Sequence, residues 1–250
     1  MRSTQLALHR YDTDKIPSRY LEYYDPILQP WVDKQVELLE IGVDRGGSLL
    51  LWRDYFPLGT IVGIDIKLPK GFTPGERIQV FEGNQTDCRF LSEVANRMAP
   101  RGFDIIIDDA SHIGELTRIA FWHLFDNHLK PGGLYAIEDW GTGYWDDWPD
   151  GRSVSLRRSA VSILKRRLLS WLGVIATKRR LKIPSSIFHF SKTPFHCHSY
   201  GMVGFVKELV DEQGAADLTR ARLDKTPKRQ SRFESVLITP SIVFVKKAVA

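Results

Sequence analysis

Three acidic residues follow two apolar runs of the sequence at matching positions. The run at 103–109 ends at Asp109, and the run at 133–139 ends at Glu138 and Asp139. If these runs are neighbouring parallel strands, about 4.8 Å apart, their carboxylates converge at one edge of a sheet. Carboxylates so close repel one another unless a cation joins them, and oxygen ligands with open positions suit Mg²⁺ or a similar divalent ion. The sequence therefore predicts a metal site formed by Asp109, Glu138 and Asp139.

A histidine accompanies the predicted metal site. His112 lies three residues after Asp109, where its imidazole can take a proton from a hydroxyl held by the metal. We therefore predict that His112 is a general base. Two structural alternatives stay open at this point: a single histidine is often only a packing residue, and one or two of the acids could cap helices or pair with arginines.

A glycine-rich turn after the first apolar run predicts a nucleoside site. The segment from Glu40 to Ser48 places Gly42 and Gly46 at G-x-x-x-G spacing, which differs from the G-x-G-x-x-G of dinucleotide phosphate sites. A carboxylate at this turn suits a cationic ligand, and Asp65, which ends the next run, can accept both hydroxyls of a ribose. A nucleoside with a positive centre and no phosphates is S-adenosylmethionine (SAM). The alternative is that the glycines only shape the turn.

Further residues are predicted to contact the same cofactor. Asn84, Gln85 and Asp87 follow the third apolar run and could reach the adenine, although Asp87 equally fits a helix N-cap. The predicted cofactor-binding residues are, in chain order, Glu40, Gly42, Gly46, Ser48, Asp65, Gln85, Asp87 and Asp108.

An aromatic cluster directly follows the predicted metal acids. Flat apolar rings can stack on a pyranose, and the acids interleaved within 146–150 indicate that this cluster is exposed rather than part of a core. The residues predicted to contact the acceptor are Trp140, Thr142, Tyr144 and Trp145.

These residues must be positioned by a sheet whose strands are buried on both faces. From Val36 onward, short β-rich apolar runs alternate with helical patterns, which predicts an α/β fold with a doubly wound, mostly parallel, seven-stranded sheet. The last two runs, at 235–240 and 241–247, predict an antiparallel hairpin at the sheet edge. Pro131 and the two glycines after it are expected to end a helix and start the fifth strand.

Length and composition favour one domain. The chain has 250 residues, of which 43% are hydrophobic and 26% charged, so it is neither disordered nor fibrous. We expect a single domain over 1–250 with a helical N-terminal cap over 1–35. Its two cysteines, Cys88 and Cys197, make neither a disulfide framework nor a cysteine zinc site. Without a signal peptide or a spanning segment, the protein is expected in the cytoplasm.

Positive charge is concentrated in a predicted insertion over 146–198. Residues 151–198 hold eleven lysines and arginines and no acid, whereas the rest of the chain has an excess of acids. A nucleic-acid partner is not expected, since such a protein would spread its charge over a binding face. Apolar residues between 161 and 175 predict a basic amphipathic helix. We favour its packing on the domain or on a second subunit, hence a homo-oligomer, over membrane-surface contact through 151–182.

The stretch from about Tyr11 to Trp145 resembles the metal-dependent sugar O-methyltransferases of actinobacteria, the group that includes the mycinamicin macrolide-sugar methyltransferase. The shared motifs are TDK and the tyrosines after it, LLEIG with GGS, GIDI, EGNQTD, IDDASH, and PGGLYAIED followed by TGYW. The resemblance implies a class I, SAM-dependent methyltransferase fold and methyl transfer to a hydroxyl of a sugar or glycoside. It also implies Asp109, Glu138 and Asp139 as metal ligands and His112 as general base. Residues 146–198 match nothing in the family, so the acceptor sugar stays open.

Two other functions stay open from the sequence. A catechol-type O-methyltransferase would use a similar metal site on an aromatic diol. An RNA methyltransferase or RNA-binding protein is suggested by the basic insertion and the isoelectric point of about 9.2.

Overall fold

The computed structural model describes residues 2–156, 197–220 and 225–249. Within these ranges, seven strands form one sheet: β1 (Glu37–Ile41), β2 (Thr60–Asp65), β3 (Ile78–Glu82), β4 (Phe103–Asp108), β5 (Leu129–Glu138), β6 (Phe233–Ile238) and β7 (Ile242–Lys247). Their order across the sheet is β3-β2-β1-β4-β5-β7-β6. The first five strands are parallel, and β7 runs antiparallel to both β5 and β6. The predicted doubly wound sheet with its antiparallel hairpin is confirmed.

Helices lie before β1 and in the connections between strands, except those from β2 to β3 and from β6 to β7. In the described part of the chain they are α1 (Leu21–Leu28), α2 (Gly47–Tyr55), α3 (Cys88–Met98), α4 (Gly114–Asn127), α5 (described over 149–156), α6 (Gly201–Gln213) and α7 (Ala215–Thr219). Short 3-10 helices lie at Ser3–Gln5, Leu8–Arg10, Gln29–Trp31 and Trp140–Tyr144.

Side-chain alternation along the central strands builds a core on each face of the sheet. Ile106 on β4 packs with side chains of α3, α4 and α6, whereas its neighbours Ile105 and Ile107 pack with those of α1 and α2. Because both faces are covered, the central strands expose only their ends. The carboxyl ends of β1, β4 and β5 lie side by side, and polar residues there share one edge.

One local prediction was wrong. Helix α4 ends at Asn127, before Pro131, and β5 begins at Leu129, which already pairs with Phe103. The Pro-Gly-Gly segment instead lies within β5, where the pairing of β4 with β5 shifts register and Gly132 takes a φ of 73°. A glycine tolerates that backbone angle, so the segment forms an irregularity within the strand.

The predicted basic amphipathic helix between 161 and 175 lies outside the described residues, as does all of 157–196. Among the helices that are described, none is both long and apolar enough to cross a bilayer.

A buried carboxylate joins α6 to the segment that leads into β6. The two oxygens of Glu212 lie 2.7 and 2.6 Å from the guanidinium nitrogens of Arg229, and the backbone amide of Arg232 donates to Oε1 at 3.1 Å. Burial alone would raise the pKa of Glu212, but hydrogen bonds from these two arginines outweigh it and lower the pKa to about 2.

We predict that Glu212→Gln lowers the free energy of unfolding at pH 7 by about 1–3 kcal/mol, since charge-assisted hydrogen bonds are lost. A carboxyl whose folded pKa is depressed stabilises above its unfolded pKa and loses that contribution as the pH falls. The difference between the two proteins should therefore shrink from pH 5 toward pH 2 in urea titrations. Asp217→Asn, which breaks an exposed pair with Arg220, is the control and should change little. A Glu212→Gln penalty that does not vary with pH would contradict this account.

Candidate functional site

A buried lysine lies among three carboxylates at the carboxyl edge of the sheet. Lys15 Nζ is 2.6 Å from Asp109 Oδ2, 2.9 Å from Glu138 Oε2 and 3.4 Å from Glu40 Oε1, and its side chain has no exposed surface. Burial disfavours the charged form, but these acids outweigh that effect and raise the pKa of Lys15 well above its usual range. The lysine is therefore a buried ammonium that joins β1, β4 and β5.

Two tyrosines hold the acids at the end of β5. The Tyr24 hydroxyl donates to Glu138 Oε1 at 2.5 Å, and the Tyr20 hydroxyl donates to Asp139 Oδ1. The sequence reasoning assigned no site role to Lys15, Tyr20 or Tyr24. The motif TDK and its following tyrosines were part of the family resemblance, and that was the available signal for them.

Two carboxylates and a histidine lie close together where β4 and β5 end. His112 Nε2 lies 3.7 Å from both Asp109 Oδ1 and Asp139 Oδ2, and one ligand atom from each residue lies within 4.8 Å of the others. The second oxygen of each acid is already bonded, that of Asp109 to Lys15 and that of Asp139 to Tyr20. We call Asp109, His112 and Asp139 the open group. Its free oxygen atoms and imidazole are suitable donors for a divalent cation.

The backbone at the open group adopts unusual conformations. His112 and Asp139 have φ angles of 51° and 53°, in the left-handed region that disfavours side chains. Thr142 lies between them, and its hydroxyl bonds to the carbonyls of Asp139 at 2.8 Å and His112 at 3.3 Å. Thr142 is 2% exposed and its hydroxyl braces the two turns, whereas its predicted contact with an acceptor stays a prediction.

Glu138 lies at the end of β5 and at the same edge as Asp109, as predicted, and its role as a metal ligand stays a prediction. It is fully buried, with one oxygen bonded to Lys15 and the other to Tyr24. Burial and the neighbouring Asp109 raise the pKa of Glu138, and Lys15 partly offsets the rise. The structure thus groups His112 with Asp109 and Asp139, and places Glu138 behind them as a partner of the ammonium.

A cavity of about 350 Å³ opens beside the open group. It is lined by Ile41, Gly42, Asp44, Ile64, Asp65, Ile66, Lys67, Gly83, Gln85, Asp109, Ala110 and Ser111. Of the residues described, Gln85 contributes a buried amide nitrogen that has no hydrogen-bond partner in the protein. An unpaired buried donor is costly unless a ligand or water satisfies it. Asp109 belongs to both the cavity lining and the open group.

The turn that bounds this cavity is held by Asp65. Its Oδ2 accepts hydrogen bonds from the amides of Val43 at 2.7 Å and Asp44 at 3.2 Å. Gly42 has a φ of 96°, and a Cβ there would lie 2.0 Å from the carbonyl oxygen of Asp109. The predicted glycine turn and Asp65 therefore both lie at the cavity, and close backbone approach requires glycine at position 42.

Three predicted cofactor residues lie outside the lining of this cavity, and their contact with the cofactor stays a prediction. Glu40 is fully buried, accepts hydrogen bonds from Ser48 at 2.6 Å and Trp52 at 3.0 Å, and pairs with Lys15. Gly46 precedes α2 with a φ of 84°. Ser48 lines a separate, smaller cavity that also reaches Asp109.

Asp87 and Asp108, both predicted to contact the cofactor, lie outside the cavity lining, and for Asp87 the structure has the helix N-cap that the sequence left open as the alternative. Asp87 caps α3, because its Oδ1 accepts from the amides of Arg89 and Phe90 at 3.1 and 3.0 Å. Asp108 points into the core, where it accepts a hydrogen bond from the Tyr135 hydroxyl at 3.2 Å, and burial raises the pKa of Asp108 to about 7. Neither residue lines the cavity.

The aromatic cluster divides into packed and exposed members. The Trp140 indole donates to the carbonyl of Thr239 at 2.9 Å and packs against the core. Tyr144 and Trp145 are exposed, at 42% and 54%. Of the four predicted acceptor residues, these two present accessible rings.

Comparison with known proteins identifies the fold. No family model matches the chain. It is 38% identical over 165 residues to the mycinamicin VI 2''-O-methyltransferase of Micromonospora griseorubida, which covers 60% of this chain and 40% of that protein. It is 40% identical over 152 residues to the demethylmacrocin O-methyltransferase of Streptomyces fradiae, which covers 54% of this chain and 38% of that protein. The crystal structure of MycE, a methyltransferase of mycinamycin biosynthesis in complex with Mg and SAH, has a TM-score of 0.61 and 28% identity.

The MycE match covers 91% of this chain and 48% of the MycE chain. The chain therefore has the class I methyltransferase fold and resembles sugar O-methyltransferases of actinobacterial natural products. It spans about two fifths of the length of these curated relatives and about half of MycE.

We predict that Gly42→Ala lowers the free energy of unfolding by more than about 3 kcal/mol, because the methyl group meets the Asp109 backbone as well as the unfavourable φ. Gly71→Ala is a matched control: its φ is 77°, but a Cβ there has no neighbour within 4 Å, so only about 1–2 kcal/mol is expected. Equal penalties for the two variants in urea unfolding would show that close approach at Gly42 is unimportant.

Proposed function

We propose that this chain is a SAM- and Mg²⁺-dependent O-methyltransferase that acts on a sugar hydroxyl of a glycoside. The observation that carries the proposal is the double role of Asp109, which lines the cavity and also belongs to the open group. A methyl donor in the cavity and a hydroxyl at the open group would meet at this residue. Methyl transfer requires that encounter.

The open group fits a hard divalent cation. Asp109 Oδ1 and Asp139 Oδ2 would hold Mg²⁺, which binds through one or two carboxylates and retains water. Three acids, Glu40, Asp109 and Glu138, surround the ammonium of Lys15, and Asp139 lies beside Asp109 at the same site, so the described cluster has an excess of acidic groups. When bound, the cation would supply positive charge that eases ionisation of a sugar hydroxyl. The sequence also predicts Glu138 as a ligand, but here one of its oxygens is bonded to Lys15 and the other to Tyr24, so it would support the site through Lys15.

The cavity fits the cofactor. Asp65 lies at the end of β2, where an acid can accept the hydroxyls of a ribose. The unpaired amide nitrogen of Gln85 would donate to an acceptor on the base. When bound, SAM supplies the methyl group on a sulfonium.

His112 would act on the proton of the acceptor. Its Nε2 faces the free oxygens of Asp109 and Asp139. A neutral imidazole in this position accepts the hydroxyl proton at Nε2 as the oxygen attacks the methyl group.

The acceptor class follows from the relatives and from the exposed rings. The relatives are named for methyl transfer to glycosylated natural products, and one MycE structure contains mycinamycin VI. Tyr144 and Trp145 would offer apolar faces to a pyranose in the same class of acceptor.

The proposal is tested by incubating the purified protein with labelled SAM, Mg²⁺ and three sets of acceptors: macrolide and aromatic glycosides with free sugar hydroxyls, catechols, and RNA. We expect label only on a sugar oxygen, assigned by NMR. EDTA should abolish the transfer and Mg²⁺ should restore it. Label on catechol or RNA, or full activity in EDTA, would contradict the proposal.

We predict that His112→Ala lowers kcat by about 10²–10⁴, the range for loss of a general base. His9→Ala, in the short helix Leu8–Arg10, should keep wild-type kcat because His9 belongs neither to the open group nor to the cavity lining. Titration calorimetry should show that His112→Ala still binds S-adenosylhomocysteine. Near-wild-type turnover with an unchanged pH profile would mean that another group takes the proton.

A further inference from the structure

We propose that Lys15 and Tyr20 are positioning residues that preorganise Asp109 and Asp139 for a divalent cation. This inference rests on the proposed function and deepens it, because it assigns a metal-site role to the N-terminal segment. Neither Lys15 nor Tyr20 is itself a member of the open group. Each acts through the carboxylate that it bonds.

The bonds from Lys15 and Tyr20 restrict the rotation of two carboxylates. An unrestrained aspartate can rotate and present either oxygen, and ordering two such groups at a metal costs side-chain entropy. Here Lys15 bonds Oδ2 of Asp109, and Tyr20 bonds Oδ1 of Asp139. The two remaining oxygens, Asp109 Oδ1 and Asp139 Oδ2, then face the same space beside His112 Nε2, each at 3.7 Å. Each bond thus selects which oxygen is presented.

The donors are themselves held in place. Lys15 is fixed by the additional carboxylates of Glu40 and Glu138. Tyr20 is 6% exposed, and its hydroxyl also takes part in a hydrogen bond with Ser241, between β6 and β7. Outer residues that orient metal ligands commonly affect metal affinity strongly, and a rigid donor is what such orientation requires.

Tyr20 is the better residue to test. Removing the Lys15 ammonium would leave three carboxylates, two of them buried, without their shared cation, and breaking a buried ion pair is strongly destabilising. Tyr20→Phe removes one hydroxyl and keeps the ring. Tyr23→Phe is a matched control in α1, since the Tyr23 hydroxyl bonds none of the described site acids.

The experiment titrates Mn²⁺ into the full-length protein and its variants, with free Mn²⁺ measured by electron paramagnetic resonance. We expect Tyr20→Phe to weaken Mn²⁺ binding by about 10–100-fold, and Tyr23→Phe to match the wild type. Affinity for S-adenosylhomocysteine by calorimetry and the circular dichroism spectrum should be unchanged in both. A variant that loses metal affinity but keeps its nucleoside affinity and its circular dichroism spectrum has lost positioning of the ligands. A general structural role would change the other two readouts as well.

The outcomes separate the two proposals. Equal Mn²⁺ affinity for wild type and Tyr20→Phe would overturn the positioning role and leave the proposed function standing. A wild-type protein that binds no Mn²⁺ would overturn both. If Tyr20→Phe does not fold, Ser241→Ala, which removes one of two hydrogen-bond partners of the Tyr20 hydroxyl, takes its place. It should weaken Mn²⁺ binding by about two- to tenfold, and unchanged binding would again overturn the role.

Discussion

The ammonium of Lys15 is the interaction on which the arrangement of this edge of the sheet depends. Glu40, Asp109 and Glu138 come from three neighbouring strands, and each approaches Lys15 within 3.4 Å. Two like charges 4 Å apart interact by about 4 kcal/mol at an effective dielectric constant of 20, so these carboxylates would separate without a cation among them. Glu40 extends the network to α2 through Ser48 and Trp52. One charge therefore connects the strand that leads into the predicted cofactor turn with the predicted metal acids.

The fold explains why cavity and acids lie together. Parallel strands place their carboxyl ends at one edge, and ligands of such sheets bind there. The turn after β1 and the end of β2 line the cavity, whereas the ends of β4 and β5 supply the acids, with Asp109 common to both. The N-terminal part of the chain contacts the acids at this edge through Lys15, Tyr20 and Tyr24. All these parts lie within a chain that spans less than half the length of its curated relatives.

Local sequence patterns predict much of the fold and of the candidate site, and there are physical reasons for what they miss. The order of elements, the hairpin and the grouping of Asp109, His112 and Asp139 follow from apolar runs and from what ends them. It was harder to predict which of two adjacent acids faces the site, because successive strand residues point in opposite directions. Asp108 points into the core, whereas Asp109 belongs to the site. Lys15 lies 94 residues from Asp109 and 123 from Glu138, and no spacing rule reaches that far.

The central claim is that Asp109 and Asp139 hold a divalent cation beside the cofactor cavity while Lys15 keeps its place. Anomalous diffraction from crystals grown with Mn²⁺ and S-adenosylhomocysteine tests this most directly. We expect one Mn²⁺ peak in contact with Asp109 Oδ1 and Asp139 Oδ2, the nucleoside in the cavity lined by Asp65 and Gln85, and Lys15 Nζ still bonded to Glu138. A peak between Asp109 and Glu138 with Lys15 displaced, or no peak at these acids, would contradict the account.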